Sequence, residues 1–256
     1  MSKDAAVAII TGASSGIGKA AALEFAKHKY SLSLSGRDEK SLLASLQECE
    51  KAGAPKVIVT IGDLREEKNA KELIEHTLKE FGKINCLVNA AGILVNGTVL
   101  ETSLTEYDKQ FDVNVRSVIQ LTRLAIPLLT KSKGTIVNVS SVTGPCAFPG
   151  VTYYCMSKAA LDQFTKCLAL ELASTGVRVN SVNPGVIVTN VHTRAGMDDK
   201  TYKEFLERGK QTHALGRVGR SEEVAKSIYF LGSEDSSFTT GQMLFVDGGR
   251  NLMHPR

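Results

Sequence analysis

The chain has no uncharged apolar run approaching the roughly 20 residues that a membrane-spanning helix requires. It has no block of five or six like charges either. Lys plus Arg total 31 against 27 for Asp plus Glu, a formal excess of +4. That balance gives no case for nucleic-acid binding, since any basic patch would have to be assembled by folding. Cysteine is sparse: Cys49, Cys86, Cys146, Cys155 and Cys167 are odd in number, and no two are spaced C-x-x-C. This argues against a disulfide framework and against a zinc site, and points to reduced thiols in a cytoplasmic protein without a metal. The first dozen residues are too short and too acidic for a signal peptide, and the final four match no retention or lipidation signal. No repeat or low-complexity linker interrupts the chain.

What is present is an ordinary globular composition: 256 residues, 43% hydrophobic and 23% charged. That length suits one large domain or two small ones. Short apolar runs alternate with segments of helical periodicity. Residues 6–11, 31–35, 56–61, 85–89, 135–140, 177–182 and 243–246 read as strands. Between them, residues 16–28 and 39–51 and the spaced set Ala70, Leu73, Ile74, Thr77, Leu78 and Phe81 read as helices. Two long helices are expected at 104–129 and 152–174. Strands alternating with helices imply right-handed crossovers and an α/β, doubly wound Rossmann fold of about seven parallel strands, with helices on both faces. Such a sheet uses nearly the whole chain, which favours a single domain over residues 1–256. The polar stretch 193–221 breaks the alternation, and a substrate lid is expected at about 190–220.

Thr11-Gly12-Ala13-Ser14-Ser15-Gly16-Ile17-Gly18 lies between the first strand and the first helix. Glycine there allows a tight turn and lets backbone N–H groups approach a pyrophosphate, whose charge a helix N-terminus favours. A Walker loop does not fit, because no Lys-Ser/Thr pair follows the last glycine. Tyr154 and Lys158 are four residues apart near the start of a predicted helix, so they share one face. An ammonium beside a phenol favours the phenolate and makes the pair a plausible acid/base. Tyr153 is rotated off that face and is assigned to packing or the pocket wall. Ser140 and Ser141 close the fifth strand, and Asn114 interrupts the apolar stripe Tyr107, Phe111, Val118, Leu121.

The glycine motif resembles that of the short-chain dehydrogenase/reductase family. So do Asn89-Ala90-Ala91-Gly92, Tyr154-Cys155-Met156-Ser157-Lys158, Asn183-Pro184-Gly185 and Val246-Asp247-Gly248-Gly249, in order, across residues from about 5 to 250. The similarity is to the single-domain branch of carbonyl reductases, hydroxysteroid dehydrogenases and β-ketoacyl carrier-protein reductases, and within it to animal, especially insect, members. The resemblance implies an NAD(P)-dependent oxidoreductase in which Asn114, Ser141, Tyr154 and Lys158 are catalytic. Tyr154 would exchange the proton and Ser141 would hold the carbonyl. Lys158 would lower the tyrosine pKa and bind the nicotinamide ribose, and Asn114 would hold a relay water. Gly12, Ser14, Ser15, Gly16, Ile17 and Gly18 would bind the pyrophosphate side of the cofactor. Asp63 and Leu64 resemble adenine contacts, and Asn89, Ala90 and Gly92 the wall beside the adenine ribose. Pro184, Gly185, Ile187 and Thr189 resemble the nicotinamide pocket.

The acid that would bind a ribose 2′-OH is replaced by Gly36, and Arg37 follows it, which points to NADP(H) over NAD(H), although NAD(H) stays possible. Asp38 could swing in or neutralise Arg37, and the position before the second glycine, basic in some relatives, is Ser15. Phe148, Val151, Val191 and Met197 make an apolar wall suited to a steroid- or isoprenoid-like carbonyl substrate. His192, Arg194 and His213 read as solvated or hinge residues. The alternatives are a 3-oxoacyl thioester carried on an acidic carrier protein and a non-catalytic dinucleotide-binding regulator. An epimerase or dehydratase would need a larger C-terminal domain than this length allows. By resemblance the chain is a homotetramer or homodimer paired through its two long helices and its last strand, and the apolar run 121–129 is compatible with that burial.

Overall fold

Val7–Thr11 forms the first strand, β1, and all five residues are buried. A parallel strand covered on both faces needs such an unbroken apolar run. Alternate side chains then serve opposite faces. Ile10 belongs to one buried cluster with Phe25, Leu42 and Ile228, and Ile9 to another with Leu73, Leu121 and Leu129.

The computed structural model describes residues 5–253. Residues 1–4 and 254–256, where much of the reading of the two ends falls, lie outside the described residues. After β1 come α1 (Gly16–Lys27), β2 (Ser31–Gly36), α2 (Glu39–Ala52), β3 (Val57–Ile61), α3 (Glu67–Phe81) and β4 (Cys86–Asn89). They are followed by α4 (Leu104–Phe111), α5 (Ser117–Ser132), β5 (Thr135–Val139), α6 (Thr152–Leu172) and β6 (Arg178–Pro184). The last part holds β7 (Ile187–Val188), α7 (Val191–Arg194), α8 (Asp199–Gln211), β8 (Gly219–Arg220), α9 (Ser221–Gly232) and β9 (Met243–Val246). Seven strands form one sheet in the order β3-β2-β1-β4-β5-β6-β9, every neighbouring pair parallel. Buried residues of α1, α2 and α9 cover one face and those of α3, α5 and α6 the other. This is the expected doubly wound α/β fold.

Three details differ from the expectation. The helix expected at 104–129 is two helices joined by a π-helical turn, Asp112–Arg116. Such turns occur as single-turn π-bulges inside α-helices, frequently at functional sites. Helix α9 is absent from the expected elements, although Val224, Ala225, Ile228 and Leu231 recur at helical spacing and are buried. It closes the core over Phe25, whose ring meets Tyr229 edge-on at 5.4 Å. The stretch 193–221 is not an irregular loop: it carries the end of α7, then α8 and β8. The apolar run 121–129 packs inward, with Leu121, Ala125 and Leu129 buried against α3 and the sheet, so those three residues offer no free face to a partner. Among the described residues no helix is long and apolar enough to cross a membrane.

Candidate active site

The strand order reverses between β1 and β4, and outside the carboxyl ends of these strands lies the crevice such sheets offer to ligands. A cavity of about 930 Å³ opens there. Its floor is the glycine-rich turn. Thr11 anchors the turn: its hydroxyl accepts from the backbone N–H groups of Ala90 and Ala91, both at 3.0 Å. Gly12 has φ +65°, and a Cβ there would stand 2.9 Å from the Ala90 carbonyl oxygen. A Cβ on Gly18 would run into the Gly12 carbonyl, so α1 can approach the strand only at a glycine. Ser15 precedes α1 without capping it, which leaves the first helical N–H groups facing the cavity. Gly12, Ser14, Ser15, Gly16, Ile17 and Gly18 all line it.

At one end of the cavity β2 and β3 deliver Arg37, Asp63 and Leu64. Asp63 is held by Arg65, whose Nε and Nη2 donate to it at 2.8–3.1 Å, and its carboxyl is held low by those bonds. Arg37 is further away, 3.9 Å from the same carboxylate, and largely exposed. Asp38 does not turn towards Arg37. Its carboxylate accepts from the Ser41 N–H at 2.7 Å and caps α2.

At the other end Ser141, Tyr154 and Lys158 converge, all lining the cavity. The Ser141 hydroxyl accepts from the Thr143 N–H at 3.1 Å and lies beside the Tyr154 phenol. Burial pushes that phenol up to about 12, against the lowering influence of Ser141. Lys158 is 4% exposed, donates to the Val139 carbonyl at 2.9 Å and is pushed down to about 8 by burial. Desolvation dominates at both groups, and the expected lowering of the tyrosine by the lysine does not set its value here. Behind them Asp162, one turn beyond Lys158, accepts from Asn183 Nδ2 at 3.1 and 3.2 Å, and Asn183 donates also to the Ser141 carbonyl at 2.9 Å. This buried polar backing was not recognised in the sequence. The signal available was a carboxylate on the buried face of an apolar helix.

Asn114 sits in the π-helical turn and is fully buried. Its Oδ1 accepts from the Ile93 N–H, and its Nδ2 donates to the Ile93 carbonyl and to Ser157 Oγ, at 2.9–3.0 Å. Its Oδ1 and the Lys158 Nζ both approach the bare face of Gly92, 3.4 and 3.6 Å from where a Cβ would stand. The side chain thus shapes the wall between Gly92 and Lys158 without itself lining the cavity. Asn89 also turns away: its Nδ2 donates to Asn138 Oδ1 at 2.9 Å inside the sheet. Ala90 and Gly92 line the cavity, as do Pro184, Gly185, Ile187 and Thr189. Tyr153 packs edge-on against Tyr107 at 5.2 Å.

The expected apolar wall of Phe148, Val151, Val191 and Met197 faces the cavity, joined by Phe205. The three polar residues read as solvated or hinge residues have other surroundings. His213 is buried: Nε2 accepts from the Val186 N–H at 3.1 Å, and Nδ1 bonds the Gly209 carbonyl at 2.6 Å. His192 is half-buried beside Phe205, 4.4 Å between centroids. Arg194 is exposed, yet it reaches the glycine turn and donates to Ser15 Oγ at 3.1 Å. Arg250 lies 4.9 Å over the Phe148 ring at the cavity edge.

A dinucleotide fits these residues. The turn is a cradle that a Cβ would fill, helix N–H groups face it, and hydroxyl and ammonium groups stand at the far end. The chain matches the family model described as enoyl-(acyl carrier protein) reductase over residues 12–251. It is 38% identical to the 3-oxoacyl-(acyl-carrier-protein) reductase FabG of Thermotoga maritima over 245 residues, 95% of this chain and 96% of the relative. The chain belongs to the short-chain dehydrogenase/reductase family. This short-chain dehydrogenase/reductase is also 35% identical to meso-2,3-butanediol dehydrogenase of Serratia marcescens over 247 residues, 96% and 94% of the two chains. A Caenorhabditis elegans family member of unknown function, solved with cofactor, superposes with a TM-score of 0.92 at 36% identity and covers 98% of this chain and 97% of its own. The enzyme is accordingly an NAD(P)-dependent oxidoreductase acting on CH–OH or C=O groups.

Proposed function

We propose that the enzyme is an NADP(H)-dependent reductase of a lipophilic ketone or aldehyde, working reversibly with Tyr154 as acid/base. The observation that carries this reading is the convergence of Ser141, Tyr154 and Lys158 on one cavity wall, with the Lys158 ammonium 5.6 Å from the Tyr154 ring centroid. When bound, the nicotinamide supplies or takes up the hydride. Ser141 and Tyr154 offer two hydroxyls to one carbonyl oxygen and so orient it. Burial keeps Tyr154 a neutral acid, so its proton is in place to be given to the forming alkoxide. The buried Lys158 ammonium then faces the phenolate left behind. Asn114 holds the Ile93 backbone and with it the wall beside Lys158.

Preference for NADP(H) rests on Arg37, which follows Gly36 where a carboxylate would serve a ribose 2′-OH. Asp38 is committed to its helix cap, and Asp63 is bonded by Arg65 and meets Arg37 only at 3.9 Å, so the exposed Arg37 guanidinium keeps its hydrogen-bond donors for a phosphate. Phe148, Val151, Val191 and Met197 line a wall suited to a lipophilic substrate. In this reading residues 190–220 act as the lid of one catalytic domain, and the enzyme works in the cytoplasm as a homotetramer. Leu170, 82% exposed on α6, gives that helix an apolar outward residue for pairing. The alternative substrate is a 3-oxoacyl thioester, the activity that names the Thermotoga maritima relative. NADPH oxidation against lipophilic ketones, aldehydes and acyl thioesters separates the two. Turnover of the free ketones alone supports the proposal, turnover of thioesters alone replaces it, and inertness towards all of them favours a non-catalytic dinucleotide-binding regulator.

A further inference from the structure

Arg194 ends α7, 179 positions along the chain from Ser15, yet its Nη1 donates to the Ser15 hydroxyl at 3.1 Å. Two other observations locate that guanidinium. Its charge acts on Asp38, directly after Arg37. The adjoining Ser14 hydroxyl stands 3.4 Å from where a Cβ of Gly36 would be, so the turn that Arg194 touches abuts the end of β2 from which Arg37 projects. Arg194 and the β2 end that carries Arg37 therefore both adjoin the Ser14–Ser15 turn.

The local charge is not balanced. Three guanidinium groups, of Arg37, Arg65 and Arg194, line this end of the cavity. Two carboxylates answer them: Asp63, held by Arg65 with Arg37 at 3.9 Å, and Asp38, which caps its helix and feels the charge of Arg194. Among the described residues the Arg194 guanidinium makes no ion pair, and its one hydrogen bond is to a neutral hydroxyl. Two guanidiniums directed at one open end of a cavity, beside an uncapped helix N-terminus, form a site for a dianion. We infer that Arg194 is a specificity-determining residue that, together with Arg37, binds the 2′-phosphate of NADP(H). The inference rests on the reading above that the enzyme binds a 2′-phosphate. It adds that half of that site comes from the segment after Thr189, so the phosphate also ties α7 to the glycine turn.

The test is calorimetric titration of the purified enzyme and of Arg194→Ala, Arg194→Lys and Arg37→Ala with NADP+ and with NAD+. Arg194→Ala is expected to weaken NADP+ about 10- to 100-fold, the worth of a charge-assisted hydrogen bond, and NAD+ by less than about 3-fold. Arg194→Lys should recover part of the loss. Arg194 is exposed and among the described residues its side chain is hydrogen-bonded only to Ser15, so the melting temperature without ligand should be unchanged. Equal weakening of both nucleotides would place Arg194 on the pyrophosphate they share and overturn the inference, as would no change in either. If the parent enzyme shows no preference for NADP+, the 2′-phosphate reading itself fails and takes this inference with it. If the parent prefers NADP+ and Arg37→Ala alone erases that preference, only the assignment of Arg194 falls.

Discussion

The Lys158 Nζ lies 5.6 Å from the centroid of the Tyr154 ring and gives its hydrogen bond to the Val139 carbonyl, 2.9 Å away. The two groups, one helical turn apart, are both moved towards their neutral forms by burial, the tyrosine to about 12 and the lysine to about 8. A proton leaving Tyr154 thus creates a phenolate beside the Lys158 ammonium, which balances its charge. Tyr154→Phe should lower kcat by about 10²- to 10⁴-fold and leave NADP+ affinity within a few-fold. Tyr153→Phe should leave both unchanged. Steady-state kinetics with calorimetry checks this, and full activity in Tyr154→Phe would move the proton donor elsewhere.

The same burial makes Lys158 a cost to folding. Its ordinary value of 10.5 falls to about 8 in the folded enzyme, so between these values the unfolded chain binds more protons. The penalty is full below about pH 8 and is relieved as pH rises towards 10.5. Lys158→Met should therefore be more stable than the parent at pH 7, by about 1–3 kcal/mol or several degrees in Tm, with the gap closing above pH 8. It should also be nearly inactive. A lower Tm at pH 7 would show that the bond to Val139 outweighs desolvation.

Asn114 holds both backbone polar groups of Ile93. Asn114→Ala is expected to slow turnover while leaving the fold intact, with about 1–3 kcal/mol of stability lost because the Ile93 groups lose their partner. Asn114→Asp keeps the bond from the Ile93 N–H and should lose less stability. Unchanged kcat in the alanine variant would remove the residue from the reaction and leave it a structural role.

Because the Val186 N–H can only donate, the Nε2 of His213 must be unprotonated and its proton must sit on Nδ1, facing the Gly209 carbonyl. Burial holds the ring below its ordinary 6.5, so the unfolded chain takes up a proton first as pH falls. Stability contributed by neutral His213 should be lost progressively below pH 6.5. Thermal melts between pH 7.5 and 5 should show a shallower acid loss in His213→Gln than in the parent. An equal slope would discount this histidine.

Arg37 gives a second, kinetic reading of cofactor choice. Arg37→Ala should raise KM for NADPH at least tenfold more than KM for NADH. Equal effects on the two cofactors would remove the NADP(H) assignment.

Much of this enzyme is legible in one dimension because its fold is built from local periods. Buried parallel strands must be unbroken apolar runs, as in Val7–Thr11, and the amphipathic helices between them announce themselves at 3.6-residue spacing. The glycine turn is readable for a similar reason: close approach of Gly12 to Ala90 and of Gly18 to Gly12 excludes any other residue. Tyr154 and Lys158 are readable because one helix face holds both. What the sequence could not decide are relations between distant positions. Whether Asp38 opposes Arg37 depends on a bond it makes to Ser41. Whether His213 is solvated depends on Val186 and Gly209 closing around it, and whether Arg194 faces water or the cofactor turn depends on how α7 folds back over Ser15. A pattern along the chain carries periodicity and spacing. Charge pairing, desolvation and the partners of a hydrogen bond are set by which segments meet in space, and only the tertiary structure brings those segments together.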